Sequence, residues 1–192
     1  MKVTIFKNVF EKESPHHIQL ETALLRIQQG KSKDLIAEIR EGDKEKKKKL
    51  PIVCFSGEFS KRVDDALFEH SGFIVLDFDH VDVETTKSAL ATDDYIHSCW
   101  VSPSGDGIKA LVQVTNTERH RDHFRALTTY FEKQYTLEVD ESGINESRAC
   151  FESYDPDIII KDEWKKFGAF SSEHAEAQTP TNKAYDYTDY MK

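Results

Sequence analysis

The chain has 192 residues, which is enough for one domain of ordinary size and a tail. Aromatic residues make up 11% of it, so a packed core is expected and a disordered chain is excluded. The formal net charge of −9 argues against a protein that coats nucleic acid non-specifically, but it leaves room for an enzyme that holds a template in a local groove.

The first part of the chain predicts strands and short helices in alternation. In chain order we expect a strand at 2–9, a helix at 16–29 that Gly30 ends, a helix at 33–40, a strand at 50–55 and a helix at 61–69. A lysine-rich block at residues 44–49 precedes the second of these strands. This block is expected to be a solvated loop, or alternatively an arm that contacts phosphates.

The clearest strand is predicted at residues 73–79, where a continuous apolar run indicates a central strand covered on both faces. The remaining predictions are a helix that Asp82 caps and that runs to Ala91, a strand at 95–101, a turn at 102–107, a strand at 108–114, a helix at 118–134, and strands at 137–140 and 149–153. This mixture predicts an α+β fold with a central, mainly antiparallel sheet and flanking helices.

The composition shifts after Lys166, so we expect a domain at 1–166 followed by a flexible tail or linker at 167–192. Neither a membrane span nor a signal peptide is recognisable, which predicts a protein of the cytoplasm, in a cell or a phage-infected host, with no membrane partner. The three cysteines are far apart and lie in apolar contexts, so we expect buried free thiols and no zinc site.

Two carboxylates, Asp77 and Asp79, end the clearest strand. Residues two apart on a strand point to the same face, so both side chains are expected side by side at the edge of the sheet. Adjacent carboxylates repel each other unless a cation lies between them, and oxygen ligands of this kind suit Mg²⁺ or Mn²⁺. Solvated acids at a strand end, or helix caps, are the alternative interpretation.

Two further segments carry residues suited to anions and metals. The turn at 102–107 contains Ser102, Ser104 and Gly105, whose hydroxyl and backbone N–H groups suit an anion, and Lys109 follows on the next strand. A later acid, Asp140, is followed by Arg148. The acid can complete a two-metal site and the arginine can hold a phosphate, although a hairpin with an exposed lysine and a surface salt bridge would give the same pattern.

The ordered set of these features resembles the archaeo-eukaryotic primase (prim-pol) superfamily. It is most similar to the prim-pol-like N-terminal domains of phage and Bacteroidetes replication proteins, which often precede a helicase or a virulence-protein-E-like domain. Four segments carry the resemblance: LPIVCFSGEF at 50–59, HSGFIVLDFD at 70–79, SPSGDGIK at 102–109 and NESRACFESYDPD at 145–157. Together they are spread over most of residues 1–160.

The resemblance implies an RRM-like catalytic core with an N-terminal αβ unit, acting as a DNA-dependent primase-polymerase. It implies that Asp77, Asp79 and Asp140 bind two Mg²⁺ or Mn²⁺ ions and act in catalysis. It further implies that Ser104 contacts the incoming nucleotide triphosphate. The chemistry of the turn and of the later segment adds Ser102, Gly105, Lys109 and Arg148 as expected nucleotide-binding residues. A single-stranded DNA template is expected in a groove near Arg62, and a helicase is a possible partner. Lys109 stands where the family usually has a histidine, and lysine cannot act as a neutral acceptor.

Two other functions remain open at this point. A catalytically weak prim-pol-like domain could bind nucleotide or single-stranded DNA and recruit a helicase. A strand that ends in two aspartates also occurs in phosphatases of the haloacid-dehalogenase type, in which Asp77 would be the nucleophile. That family requires a lysine and a further acidic pair downstream, and the serine-containing turn has no evident task there.

Overall fold

The computed structural model describes residues 1–170, and within this range it contains ten strands and four α-helices. The strands are β1 (Lys2–Phe6), β2 (His16–Gln19), β3 (Ile52–Cys54), β4 (Gly57–Phe59), β5 (Leu67–His70), β6 (Phe73–Phe78), β7 (Ile96–Val101), β8 (Ile108–Gln113), β9 (Cys150–Phe151) and β10 (Ile159–Ile160). The helices are α1 (Leu20–Gln29), α2 (Lys33–Arg40), α3 (Val83–Thr92) and α4 (His120–Tyr135). The predicted α+β class is therefore confirmed.

The strands form two four-stranded sheets and a two-stranded ribbon. The first sheet has the order β2-β1-β3-β9, the second has the order β10-β7-β8-β6, and the ribbon pairs β4 with β5. Every pairing within these sheets is antiparallel, as expected from the sequence. Two sheets take the place of the single central sheet that the sequence predicted.

Strand β6 is covered on both faces, because its side chains alternate between two apolar layers. Ile74 and Leu76 belong to a core that includes Phe124 and Leu127 of α4. Phe73 and Val75 point the other way and belong to a second core with α1 and the first sheet. This explains the continuous apolar run of β6, and it places Asp77, two residues after Val75, on the face between the two sheets.

Helix α2 covers the outer face of the first sheet. Ile36 and Ile39 of α2 lie in a third core with Phe6, Ile52 and Cys54. The chain therefore stacks α2, the first sheet, α1, the second sheet and helices α3 and α4 in succession. The end of β6 opens beside the layer between the sheets, and this position defines where a site can form.

The second sheet is built from the chain order β6, α3, β7, β8, α4, with β8 between the other two strands. Strand β6 lies at the edge of this sheet, where it pairs with β8, so it is covered on both faces but is not the central strand that the sequence predicted. The carboxylate of Asp82 caps α3 as predicted, because it accepts a 2.9 Å hydrogen bond from the backbone N–H of Thr85.

Several predicted elements are wrong. Residues 16–19 form β2 instead of the start of a helix, because they pair with β1 in the first sheet. Residues 61–69 are not helical; a single 3₁₀ turn at Asp64–Ala66 leads into β5, which pairs with β4. The predicted strand at 137–140 is irregular, and the strand predicted at 149–153 shortens to β9.

The packed structure continues past the predicted boundary at residue 166. Phe167 is buried and its backbone N–H donates a 2.7 Å hydrogen bond to the carbonyl oxygen of Gln113. The rest of the predicted tail, from residue 171 onward, lies outside the described residues. No helix between residues 1 and 170 has both the length and the apolar character needed to cross a membrane.

Candidate metal and nucleotide site

Three carboxylates meet at the end of β6. One oxygen each from Asp77, Asp79 and Asp140 lies within 4.8 Å of the others. Asp77 lies in β6 and Asp79 directly follows its last residue, Phe78, so the two acids are two positions apart at the strand end, as the sequence predicted. The third comes from a separate segment, so the juxtaposition that the sequence suggested is present in the fold.

The backbone brings Asp140 to the other two acids. Its N–H donates a 2.9 Å hydrogen bond to the carbonyl oxygen of Asp77. The following 3₁₀ turn, Glu141–Ile144, packs against α4, where Gly143 lies so close to Phe124 that a Cβ atom would approach its ring to 3.0 Å. The acid is thus held by the chain on both sides of it.

The charges of the cluster perturb one another. Desolvation raises the pKa of Asp79, the repulsion of Asp77 adds to this, and Lys109 opposes it. Asp79 itself is exposed, and within residues 1–170 its carboxylate has neither a hydrogen-bond donor nor an ion-pair partner. A divalent cation would relieve this repulsion, which is the behaviour expected of an acidic metal site.

The cluster fits a small divalent cation. Mg²⁺ binds oxygens at about 2.1 Å, so its ligands lie roughly 3–4 Å from one another, and the observed spacing needs only a small closure. In addition, the Oδ1 atom of Asp77 is buried and has no hydrogen-bond partner among the described residues. A buried carboxylate oxygen without a donor is costly unless a cation supplies the missing contact.

Lys109 lies directly opposite Asp77 on β8, and the two side chains form an ion pair. Their exposed fractions are 8% and 14%, so the pair is largely desolvated. Burial alone would lower the pKa of Lys109, but the attraction of Asp77 outweighs it and the pKa is raised, which keeps the ammonium charged. The lysine therefore belongs to the carboxylate cluster.

Arg148 and Ser142 hold the third acid. Ser142 donates two hydrogen bonds to Asp140, from its backbone N–H at 2.9 Å and from its hydroxyl at 2.5 Å, and Arg148 Nη2 donates at 2.9 Å. Desolvation would raise the pKa of Asp140, but these donors outweigh it and the pKa is lowered. Sequence reasoning missed Ser142, although an aspartate two residues before a serine is a common side-chain-to-backbone turn.

The turn at 102–107 adjoins the cluster through Gly107. A Cβ atom there would come within 2.7 Å of the carbonyl oxygen of Phe78 and 3.3 Å of the Cα atom of Asp79. Ser104 is exposed at the tip of the turn, whereas Ser102 is buried. Ser104 is therefore open to solvent, whereas the buried hydroxyl of Ser102 has no hydrogen-bond partner among the described residues.

Arg40 of α2 holds the turn at residues 102–107 in place, a contact that the sequence did not indicate. Its guanidinium donates to the carbonyl oxygen of Ser102 at 3.1 Å and to that of Tyr154 at 3.0 Å. Gly105 lies against it, since a Cβ atom at this position would be 3.3 Å from Arg40 Nε. The guanidinium therefore links the turn at residues 102–107 to the segment after β9.

Of the lysine-rich block at residues 44–49, Lys47 lies near the carboxylate cluster. Its Nζ atom lies 5.3 Å from the ring centroid of Phe151. Burial lowers the pKa of Lys47, Lys109 lowers it further, and Asp77 and Asp79 act in the opposite direction, which places the ammonium within electrostatic range of the cluster. The block itself, Lys44–Lys49, is a 3₁₀ helix instead of an irregular loop.

Arg62 is not a surface residue. It is 5% exposed, and its Nη2 atom donates a 2.5 Å hydrogen bond to the carbonyl oxygen of Val9. A buried guanidinium that holds a neighbouring loop cannot line an open groove. The prediction that Arg62 contacts the template is therefore wrong, and its role is structural. The side chain stabilises the segment that connects β1 to β2.

Comparison with known protein families places part of the chain in a described family. The family model described as "BT4734-like, N-terminal domain" matches residues 45–159, a range that includes all three carboxylates, Lys47, Lys109 and Arg148. No curated protein and no solved structure matched the chain. The matched range covers more than half of the sequence, so this chain belongs to the BT4734-like N-terminal domain family.

Proposed function

We propose that this chain is the catalytic core of a metal-dependent nucleotidyltransferase, a DNA-dependent primase-polymerase that joins nucleotides on a single-stranded template. The observation that carries the proposal is the convergence of Asp77, Asp79 and Asp140 within 4.8 Å, beside the cations of Lys109 and Arg148. Paired acids next to paired cations suit a substrate that combines divalent metals with phosphates.

The three carboxylates would hold Mg²⁺ or Mn²⁺. When bound, such ions lower the pKa of an attacking hydroxyl and stabilise charge on a triphosphate. In the proposed reaction a bond forms between the 3′-oxygen and the α-phosphorus, pyrophosphate leaves, and the hydroxyl proton passes to water. The protein's own contribution is to fix the acids, which it does through the β6 backbone and through the hydrogen bonds to Asp140.

The cationic side chains would orient the triphosphate. Arg148 Nη2 and the ammonium of Lys109 each lie against a carboxylate of the cluster, so a phosphate bound to the same metals would meet them at short range. Lys47 adds charge on the side of Phe151. The exposed Ser104 and the neighbouring Gly105 offer hydroxyl and backbone N–H donors for the same anion.

Extension of a primed single-stranded template with labelled nucleotides and Mn²⁺ tests the proposal. The informative variant is Asp79→Asn, because Asp79 is exposed and its replacement leaves the two ion pairs intact. The matched control is Asp157→Asn, which makes the same change at an exposed acid outside the cluster. Wild-type synthesis that Asp79→Asn abolishes and Asp157→Asn retains supports the proposal. Equal synthesis by both variants overturns it.

A binding domain without catalysis is the second candidate, and the ion pair between Lys109 and Asp77 is the observation that favours it. A charged lysine engages a carboxylate at the position where the resemblance expects a neutral histidine. Metal-dependent binding of a nucleotide triphosphate or single-stranded DNA without any product identifies this function. Recruitment of a helicase would then be its task.

The phosphatase alternative has weaker support. The contact between Lys109 and Asp77 resembles what it needs, but the only acid after the lysine in the cluster of residues 1–170 is Asp140, where an acidic pair is required. An acyl-phosphate on Asp77, trapped with a phosphorylated substrate and detected by mass spectrometry, would identify this activity.

A further inference from the structure

We infer that Lys109 is a built-in cation that takes the place of one divalent ion, so that the protein without nucleotide binds a single divalent cation. The inference deepens the proposed function and rests on it. It assigns the ion to the carboxylate oxygens without protein partners, those of Asp79 and the Oδ1 atom of Asp77, and it assigns the Oδ2 atom of Asp77 to the ammonium.

Lys109 is fixed in its position from two sides. It lies on β8, between β6 and β7, where it is paired with Asp77 of β6 and Trp100 of β7. Trp100 is fully buried, and the lysine side chain is 8% exposed. The ammonium therefore stays on Asp77 Oδ2 unless an incoming ion displaces a desolvated partner, a change that costs a factor on the order of 10²–10³ in affinity.

The carboxylate oxygens of the cluster fall into two groups, those with protein partners and those without. Asp140 is engaged by Ser142 through both oxygens and by Arg148 through Oδ2. In contrast, Asp77 Oδ1 is buried without a donor, and the Asp79 carboxylate has no partner among residues 1–170. The unpartnered oxygens therefore belong to Asp77 and Asp79, two neighbouring acids of the cluster, and they suit one ion. A second ion would have to use oxygens that already have cationic partners.

The local charge leads to the same conclusion. Among the acids and their direct partners, Asp77 with Lys109 and Asp140 with Arg148 are neutral pairs, so Asp79 leaves a single negative charge. The ammonium of Lys47, within electrostatic range, disfavours further cations as well. One divalent ion changes this to a single positive charge, whereas two would leave three positive charges in a partly desolvated site. A second ion would therefore enter only together with an anion such as a triphosphate.

Calorimetric titration of the full chain with Mn²⁺, without nucleotide, tests the inference. The wild type should bind one ion per chain. Lys109→Met should bind two, or gain a second site at least 10²-fold tighter than any second site of the wild type. The control is Lys165→Met, which removes a lysine from an exposed ion pair with Asp94 and should still bind one. Mn²⁺ electron paramagnetic resonance adds a second readout, since a spin-coupled ion pair should appear in Lys109→Met alone.

Lys109→Met leaves Asp77 without its partner, so its fold is checked by circular dichroism. Lys109→His is the second variant, because imidazole keeps a polar group there and can itself bind metal. Two ions on the wild type, or a single ion on both folded variants, overturn the inference and leave the proposed function standing. If the wild type binds no ion even with nucleotide present, the inference and the proposed function fail together.

Discussion

The backbone N–H of Asp140 donates a hydrogen bond of 2.9 Å to the carbonyl oxygen of Asp77. This bond joins the start of the 3₁₀ turn at Glu141–Ile144 to the end of β6, and it sets the distance between two carboxylates that are remote in the chain. A main-chain bond is insensitive to side-chain replacement. Variants of the acids and their partners should therefore change the chemistry of the site more than its position.

Arg148 holds Asp140 through its Nη2 atom at 2.9 Å, and it is also placed to meet a phosphate. We predict that Arg148→Met lowers kcat/KM for nucleotide addition about 10²-fold, because a charge-assisted contact to the reacting group is lost. Arg148→Lys should recover part of the activity. Steady-state primer extension measures both variants.

The control for Arg148 is Arg125→Met, which removes a guanidinium from an exposed pair with Asp122. It should retain wild-type rates. Unchanged activity in Arg148→Met, with Arg125→Met also unchanged, would show that the arginine only supports the loop.

Gly107 allows the turn at 102–107 to approach the end of β6. A Cβ atom at this position would lie 2.7 Å from the carbonyl oxygen of Phe78, so Gly107→Ala forces the backbone apart. We predict a loss of about 1–3 kcal/mol in the free energy of unfolding, measured in urea, together with weaker binding of Mn²⁺ as Asp79 moves. Gly168→Ala is the matched control, since its nearest neighbours would be 3.5 Å away, and it should unfold like the wild type.

The sequence predicts the chemistry of β6 and β8 because their pattern is local. A period of two places Asp77 and Asp79 on one face, and the turn at 102–107 joins β7 to β8 in the expected hairpin. The cap at Asp82 follows from the same kind of short-range rule. In each case the residues that decide the structure are a few positions apart.

The wrong predictions concern segments whose partners are distant in the chain. Residues 16–19 carry a helical pattern, but β1 offers them an antiparallel edge and they extend to pair with it. Residues 137–140 look like a strand, yet the backbone bonds from Leu137 to Phe131 and from Asp140 to Asp77 hold them in place of a ladder. No local signal places Arg40 under the turn or buries Arg62, since both depend on the packing of separate elements.

A buried acid anchors the segment after β9. Glu152 is 1% exposed and receives two hydrogen bonds from Arg26, at 2.5 and 3.2 Å, and one from Ser32. We predict that Arg26→Met destabilises the protein by about 3 kcal/mol, because it leaves a buried carboxylate without its cation. Urea denaturation measures the loss. Lys165→Met, which removes an exposed ion pair, should leave the midpoint close to that of the wild type, and a similar midpoint for both variants would contradict the prediction.

Two histidines between β5 and α4 should make stability depend on pH. His70 Nε2 lies 3.0 Å from His120 Nδ1, and His70 Nδ1 accepts a 2.9 Å hydrogen bond from the backbone N–H of Gly72. The His70 ring therefore donates to His120, and both rings are neutral. Desolvation lowers the pKa of His70 to about 4 and that of His120 to about 3, from an ordinary value of 6.5.

Since both values are depressed in the folded state, the unfolded chain binds more protons below pH 6.5. The stabilisation is complete above that pH and declines as the pH falls toward about 4. We predict that the free energy of unfolding drops by about 2 kcal/mol for each histidine between pH 7.5 and pH 5, or on the order of 4 kcal/mol for the two. His120→Asn keeps an acceptor near the position of Nδ1 without a titrating group, so its decline should be shallower, whereas His16→Asn at an exposed site should match the wild type. Parallel declines in all three proteins would assign the pH dependence to other groups.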